Sequence, residues 1–166
     1  MSKSLAARIY RVQLSPTVAI TAKAIALKSA GQDIITLSAG EPDFETPSHI
    51  GEAACAAIQA GKTKYTAVDG TKSLKDAIIH KFKRDNDLTF KETEIIVSSG
   101  GKQSLYNACQ ALVDEKDEVI VPAPFWASFP DIIKLAGGSP IIVQTDLDSG
   151  FRITPKKLVD SITSKT

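Results

Sequence analysis

Apolar positions along the chain recur at two different spacings. Val18, Ala19, Ala22, Ala26 and Leu27 repeat at the helical interval, and Gly31 follows as a stop, so the spacing predicts a helix within residues 1–31. Ser15-Pro16-Thr17 supplies its start, a hydroxyl cap and then proline at the first helical position. Ile34–Leu37 reads as a short strand. Thr46-Pro47 repeats the cap-plus-proline start, and Ile50, Ala53, Ala54, Ala57 and Ile58 form one helical face that ends at Gly61. From Ser73 to Asn86 a further helix is predicted, with Leu74, Ala77, Ile78 and Phe82 inward and Lys75, His80, Lys81 and Arg84 outward.

From Glu94 the pattern becomes an alternation of short apolar runs and amphipathic stretches. Ile95–Val97 reads as a strand and Lys102–Val113 as a helix with Leu105, Cys109 and Leu112 on one stripe. Glu118–Val121 is a strand, Phe125–Ala136 a helix stopping at Gly137-Gly138, and Ile141–Gln144 a strand. Thr154-Pro155 opens one more helix. This order predicts an α/β fold with parallel strands and crossover helices. Ligands of such folds collect at the carboxyl ends of the strands. The loops 98–102 and 122–126 both fall at that end.

Composition narrows the possibilities. A chain of 166 residues, 43% hydrophobic and 23% charged, suits one soluble domain of ordinary size. The net charge of +1, with Lys and Arg scattered, gives no electrostatic footprint for nucleic acid. No apolar run approaches the ~20 residues of a membrane span. Met1–Arg8 leads into no apolar segment of the signal-peptide kind. Cys55 and Cys109 sit in Ala-rich helical patterns and read as buried free thiols. These features predict a cytoplasmic protein. His49 has no ligand-spaced Cys, His or carboxylate nearby, so it reads as a surface residue and no metal site is expected.

Candidate chemistry centres on Ile95–Leu105, an apolar run, a Ser/Gly turn and a helix start. Such a junction aims backbone N–H groups and the positive end of a helix dipole at one spot, which suits an anion, most often a phosphate. It is no Walker loop, because Ile96 stands where the first glycine belongs and Gln103 follows Lys102; Gly100-Gly101 also lacks the third glycine of a dinucleotide fingerprint. Ser38–Phe44 carries Gly40 and Pro42 and fits either a connector or a binding loop. Trp126, the only tryptophan, fits core packing or a flat face against a planar ligand. Tyr65 reads as a packed aromatic with a wet hydroxyl, and Ser15 and Thr17 as caps. Together a phosphate cup, an indole wall and the Gly40 loop suit a flat, phosphorylated cofactor and a carboxylate substrate.

Ser38-Ala39-Gly40-Glu41-Pro42-Asp43-Phe44, Gly61-Lys62-Thr63-Lys64-Tyr65, Ser99-Gly100-Gly101-Lys102-Gln103 and Val121-Pro122-Ala123-Pro124-Phe125-Trp126 follow one another in a familiar order. From about Val12 to Thr166 the chain resembles the N-terminal part of the class I pyridoxal-phosphate-dependent aminotransferases, the aspartate aminotransferase family. Its bacterial and plant subgroup with aspartate or prephenate activity is the nearer likeness. The resemblance implies the N-terminal portion of the fold type I architecture, helices around a mostly parallel sheet, incomplete at the C-terminus. Residues 1–45 would be an arm and part of a small domain, and residues 46–166 the first half of the large cofactor-binding domain.

The resemblance also implies roles. Gly100, Gly101 and Lys102 would hold the phosphate of pyridoxal 5'-phosphate. Trp126 would stack on its ring and help hold the substrate α-carboxylate, to which Gly40 would offer its backbone N–H. Tyr65 would reach the phosphate in the neighbouring subunit of a homodimer. Lys102, Ser15 and Thr17 would meet the distal carboxylate of an acidic substrate, a cation and two hydroxyls suiting that group. Gln13 stands where some prephenate-using members have a basic residue, which weakens that activity. The implied substrates are an amino acid, aspartate foremost, and a 2-oxo acid.

The family's Schiff-base lysine is expected beyond Thr166. So are the Asp that pairs the pyridinium nitrogen, the Asn and Tyr on the cofactor oxygen, and the carboxylate-binding Arg. No catalytic residue is assigned within this chain, which by itself is expected to be inactive. Two other readings stay open: a non-catalytic half-protein acting as a phosphate-binding or assembly module, and another enzyme of the same cofactor fold, such as a lyase or an aromatic or alanine aminotransferase.

Overall fold

The computed structural model describes residues 5–12 and 15–166, and Gln13 lies outside them. The chain divides into two compact units: residues up to Ala39 together with Leu105–Thr166, and Gly40–Ser104.

In the first unit, helix α1 spans Pro16–Ser29. The hydroxyl cap expected of Ser15 is not made; its carbonyl accepts the Ala19 N–H at 3.1 Å, but its side chain forms no capping bond. Ile34–Leu37, expected as a strand, joins no ladder, and Ile35 and Leu37 are 89% and 93% exposed. A strand exists only with a partner for its N–H and C=O groups, and none of the described residues provides one.

The sheet of this unit pairs β1 (Glu118–Ala123) with β2 (Ser139–Gln144), parallel as expected, in register from Glu118 opposite Ser139 to Ala123 opposite Gln144. Between them runs α5, Ser128–Ala136, which packs on both strands. Val121 and Val143 from the strands and Ile132 and Ile133 from α5 are the buried apolar residues, a small core built where helix meets sheet. Gly138 is squeezed here: a Cβ on it would lie 2.5 Å from Val113 Cγ1. Helix α5 starts at Ser128, not at Phe125. Pro124 keeps Ala123 extended, so β1 runs further than the apolar pattern indicates and the helix begins later. Helix α6, Pro155–Ser161, packs on β2 and is capped as expected, Thr154 Oγ1 accepting the Lys157 N–H at 3.2 Å.

The second unit holds α2 (Ser48–Gln59) and α3 (Lys72–Asn86). Cys55 is a free thiol but exposed, against the buried reading, because no described element covers its face of α2. On α3 Ile78 and Phe82 face inward as expected, but Lys75 and Ile79 join them in place of Leu74 and Ala77; Leu74 is 45% exposed and Lys75 is buried. Phe82 meets Phe90 edge to face, centroids 5.2 Å apart. Ile95–Val97 runs extended from Ile95 but, contrary to the strand reading, pairs with no strand; Val97 donates its N–H to the Asp69 carbonyl at 3.0 Å. Helix α4, Gly101–Leu112, starts in this unit and ends in the other. Among the described residues no helix is long and apolar enough to cross a membrane.

Candidate active site

The Ser/Gly turn is built by its own backbone. Gly100 donates its N–H to the Ser98 carbonyl at 2.8 Å and has φ +89°, a conformation that side chains resist. The Ser99 N–H is taken by Gln103 Oε1 at 2.5 Å. The Gly100 carbonyl then accepts the N–H groups of Gln103 at 3.1 Å and Ser104 at 3.4 Å, which opens α4. Gly101 and Lys102 thus form the first turn of α4, at the positive end of the helix dipole. Nothing lies within 4 Å of a Cβ placed on Gly100 or Gly101. Gly101 also lacks a left-handed φ. Neither packing nor backbone conformation within the chain requires glycine at 101, whereas an anion lying against the backbone would.

Gly40, Tyr65, Gly100, Gly101 and Lys102 share the Gly40–Ser104 unit. All are exposed; Tyr65 projects fully, with 108% relative exposure, so it is not the packed aromatic of the residue-level reading. Gly40, like Gly101, has open space around it and no left-handed φ. The same unit contains a cluster that sequence reasoning missed. Lys75 Nζ lies 2.5 Å from Asp69 Oδ2 and 3.3 Å from Glu92 Oε1. The hydrogen bond between them raises the Lys75 pKa above the ordinary lysine value and lowers that of Asp69 below the usual carboxylate value.

Ser15, Thr17 and Trp126 belong to the other unit. Ser15 is half-buried and Thr17 exposed. Thr17 lies in a groove of about 450 Å³ between α1 and the segment Ile34–Ser38, and Thr21 donates to Ser38 Oγ at 3.2 Å beside it. Trp126 is 46% exposed, precedes α5 and meets Phe129 edge to face, centroids 5.6 Å apart at 89°. Below it an apolar cleft of about 570 Å³ opens between α4, β1 and α5, walled by Leu105, Cys109, Val121, Phe129 and Ile133. Burial pushes the Cys109 thiol up, so it stays a neutral apolar wall. The alternation of Leu105 and Cys109 on one helical stripe was the signal for this wall.

A parallel strand pair joined through a crossover helix defines an α/β protein. The family model for aminotransferase class I and II matches residues 32–166, and the chain belongs to that family. Over 162 residues it is 54% identical to the aspartate/prephenate aminotransferase of Nitrosomonas europaea, covering 98% of this chain and 41% of that protein. It is 49% identical to the aspartate aminotransferase of Bacillus subtilis, again covering 98% of this chain and 41% of that one.

Among solved structures, the aspartate aminotransferase of Rhizobium meliloti superposes with a TM-score of 0.93 at 46% identity, over 99% of this chain and 41% of the other. The Thermus thermophilus aspartate aminotransferase with maleate gives 0.94 at 43% identity, over 99% and 43%. The chain thus spans about two fifths of the length of these relatives. Its α/β architecture is the corresponding part of their fold.

Proposed function

We propose that the protein to which this chain belongs transfers the amino group of aspartate to a 2-oxo acid with pyridoxal 5'-phosphate as cofactor, as a cytoplasmic homodimer. The observation that carries the reading is the turn at Gly100-Gly101. It opens α4 into free space with glycine at a position where the chain itself has no need of it. The residues fit a phosphate: backbone N–H groups of Gly101 and Lys102, a helix dipole behind them and room for close approach. Bound there, the cofactor would supply the electron sink that lets an amino acid lose its α-proton.

The chain's own residues bind and orient. Gly100, Gly101 and Lys102 are assigned to the phosphate, Gly100 through the turn it shapes because its N–H bonds the Ser98 carbonyl; Trp126 is assigned to the ring and the α-carboxylate, and the Gly40 N–H to the α-carboxylate. Exposed Tyr65 reaches the phosphate site of the partner subunit. Lys102, Ser15 and Thr17 receive the distal carboxylate, and the hydroxyl of Ser15 is not spent on capping α1. The relative from Thermus thermophilus was solved with maleate, a dicarboxylate, which supports an acidic substrate. Residues 1–45 serve as arm and small-domain portion and 46–166 as the first half of the cofactor domain. No residue of this chain is assigned the proton-moving role, and turnover by the 166 residues alone is tested directly.

The test joins this chain to its natural continuation, or to the C-terminal portion of the Nitrosomonas europaea relative. Aspartate turnover with 2-oxoglutarate is then measured with and without pyridoxal phosphate, and with prephenate as the competing acceptor. Cofactor-dependent formation of oxaloacetate supports the reading. Cofactor binding without turnover favours the binding-module alternative, and a stoichiometric borohydride-trapped adduct with turnover by the 166 residues alone overturns the inactivity.

A further inference from the structure

The buried lysine on α3 has no role in the reading above, yet it is tied to the segment that delivers the glycine turn. Lys75 is 5% exposed, while its partners Asp69 and Glu92 each have side chains 44% exposed. The two carboxylates flank one segment. The Asp69 carbonyl accepts the Val97 N–H at 3.0 Å, and the Glu92 carbonyl accepts the Ile95 N–H at 3.3 Å. Lys75 therefore bridges the residues on both sides of Ile95–Val97, which itself has no strand partner among the described residues. Gly70 closes the contact. With φ +110°, it lets the turn approach so near that a Cβ there would lie 2.6 Å from Val97 Cγ2. In a sheet a neighbouring strand would hold this segment; here a buried cation and two carboxylates do it.

We propose that Lys75 is a positioning residue for the phosphate turn: through Asp69 and Glu92 it fixes Ile95–Val97 and so sets where the Ser98–Gly101 backbone and the start of α4 stand. The proposal rests on the reading of that turn as a phosphate site. A burial this complete is unusual for lysine unless paired, and the pairing ties α3 to the turn at Asp69 and to the short 3-10 helix Glu92–Glu94. It clamps the backbone that leads directly into the glycine turn.

The experiment measures two quantities on the protein joined to its continuation, in wild type, Lys75→Met, Lys75→Arg and Glu92→Gln. One is amide hydrogen exchange at Ile95 and Val97, with Ile141 and Val143 of the β1–β2 ladder as the internal control. The other is the dissociation constant of pyridoxal phosphate by equilibrium dialysis.

Lys75→Met is expected to speed exchange at Val97 and raise the dissociation constant, each by about tenfold or more, with the ladder amides unchanged. Lys75→Arg is expected to restore both, since a guanidinium can still bridge two carboxylates. Glu92→Gln gives a smaller change in the same direction and decides the matter if Lys75→Met does not fold. Unchanged Val97 exchange, or faster exchange with unchanged cofactor affinity, overturns the role of Lys75 alone. Wild-type protein that binds no pyridoxal phosphate overturns the phosphate reading and this role with it.

Discussion

Replacing Gly101 with alanine separates two reasons for a glycine. If the residue serves the fold, the change should weaken the fold; if it serves a ligand, the fold should be indifferent and the ligand should not. The geometry sets the first magnitude. A Cβ at 101 meets no atom within 4 Å and the backbone is outside the left-handed region, so neither clash nor strain arises. Alanine in place of glycine within a helix is favourable by roughly 0.5–1 kcal/mol, and less at the first position of α4. The melting temperature should stay level or rise by up to about 2 °C in a chain of this size.

The second magnitude comes from the ligand. A methyl group set between the backbone and a phosphate oxygen displaces a charge-assisted hydrogen bond, a loss of about 1.5–3 kcal/mol. That corresponds to a roughly 10- to 150-fold weaker dissociation constant. The assay pairs a thermal unfolding scan with equilibrium dialysis against pyridoxal phosphate and, separately, inorganic phosphate. Alanine-bearing protein that binds both as tightly as wild type would refute the phosphate cup. A drop in melting temperature of several degrees would show instead that the glycine serves the fold.

Other outcomes follow from packing and charge. Gly138→Ala drives a Cβ to 2.5 Å from Val113 Cγ1 and 3.2 Å from Ile133 Cγ2, and should destabilise the first unit by about 1–3 kcal/mol in urea unfolding. Thr154→Ala removes the bond from the Lys157 N–H and should cost about 0.5–2 kcal/mol, read by the same titration. Asp146 is held below the usual carboxylate pKa, first by the Ser149 backbone N–H, then by the Ser149 side chain and Lys157. A depressed carboxylate stabilises the fold above its unfolded-state pKa and loses that effect as pH falls through its lower folded-state value. The stability gap between wild type and Asp146→Ala should therefore hold steady at neutral pH and shrink below about pH 4.

The parallel pair β1–β2 was readable because helix α5 separates two apolar runs by a crossover's length, and the pairing then follows from topology. Ile34–Leu37 and Ile95–Val97 have the same apolar character but form no ladder, since a strand is a relation between two segments and one segment cannot show it. On α3 the reading was right for Ile78 and Phe82 and wrong for Leu74, Ala77 and Lys75, for a different reason. Lys75, Ile78, Ile79 and Phe82 have the spacing of an inward face, and only the habit of sending lysine outward hides it. What buries Lys75 is Asp69 and Glu92, whose approach no local pattern announces. The glycine turn itself was legible because Gly100 and Gly101 act through the backbone: Gly100 takes φ +89° and α4 opens at Gly101. The roles proposed for Ser15, Thr17 and Tyr65 come only from family resemblance, because a hydroxyl names no ligand.

The scant core bears on the fate of the chain in a cell. Val121, Ile132, Ile133 and Val143 are buried, while Ile35, Leu37, Phe44 and Val68 stand 87–96% exposed. Surfaces of that kind are what chaperones grip and proteases sample. Synthesised on its own, the 166-residue chain should turn over quickly, and supplying the C-terminal portion of a relative in trans should lengthen its half-life before it restores any chemistry. Abundance would then report assembly, making the exposed apolar residues a selectable marker for whatever sequence covers them.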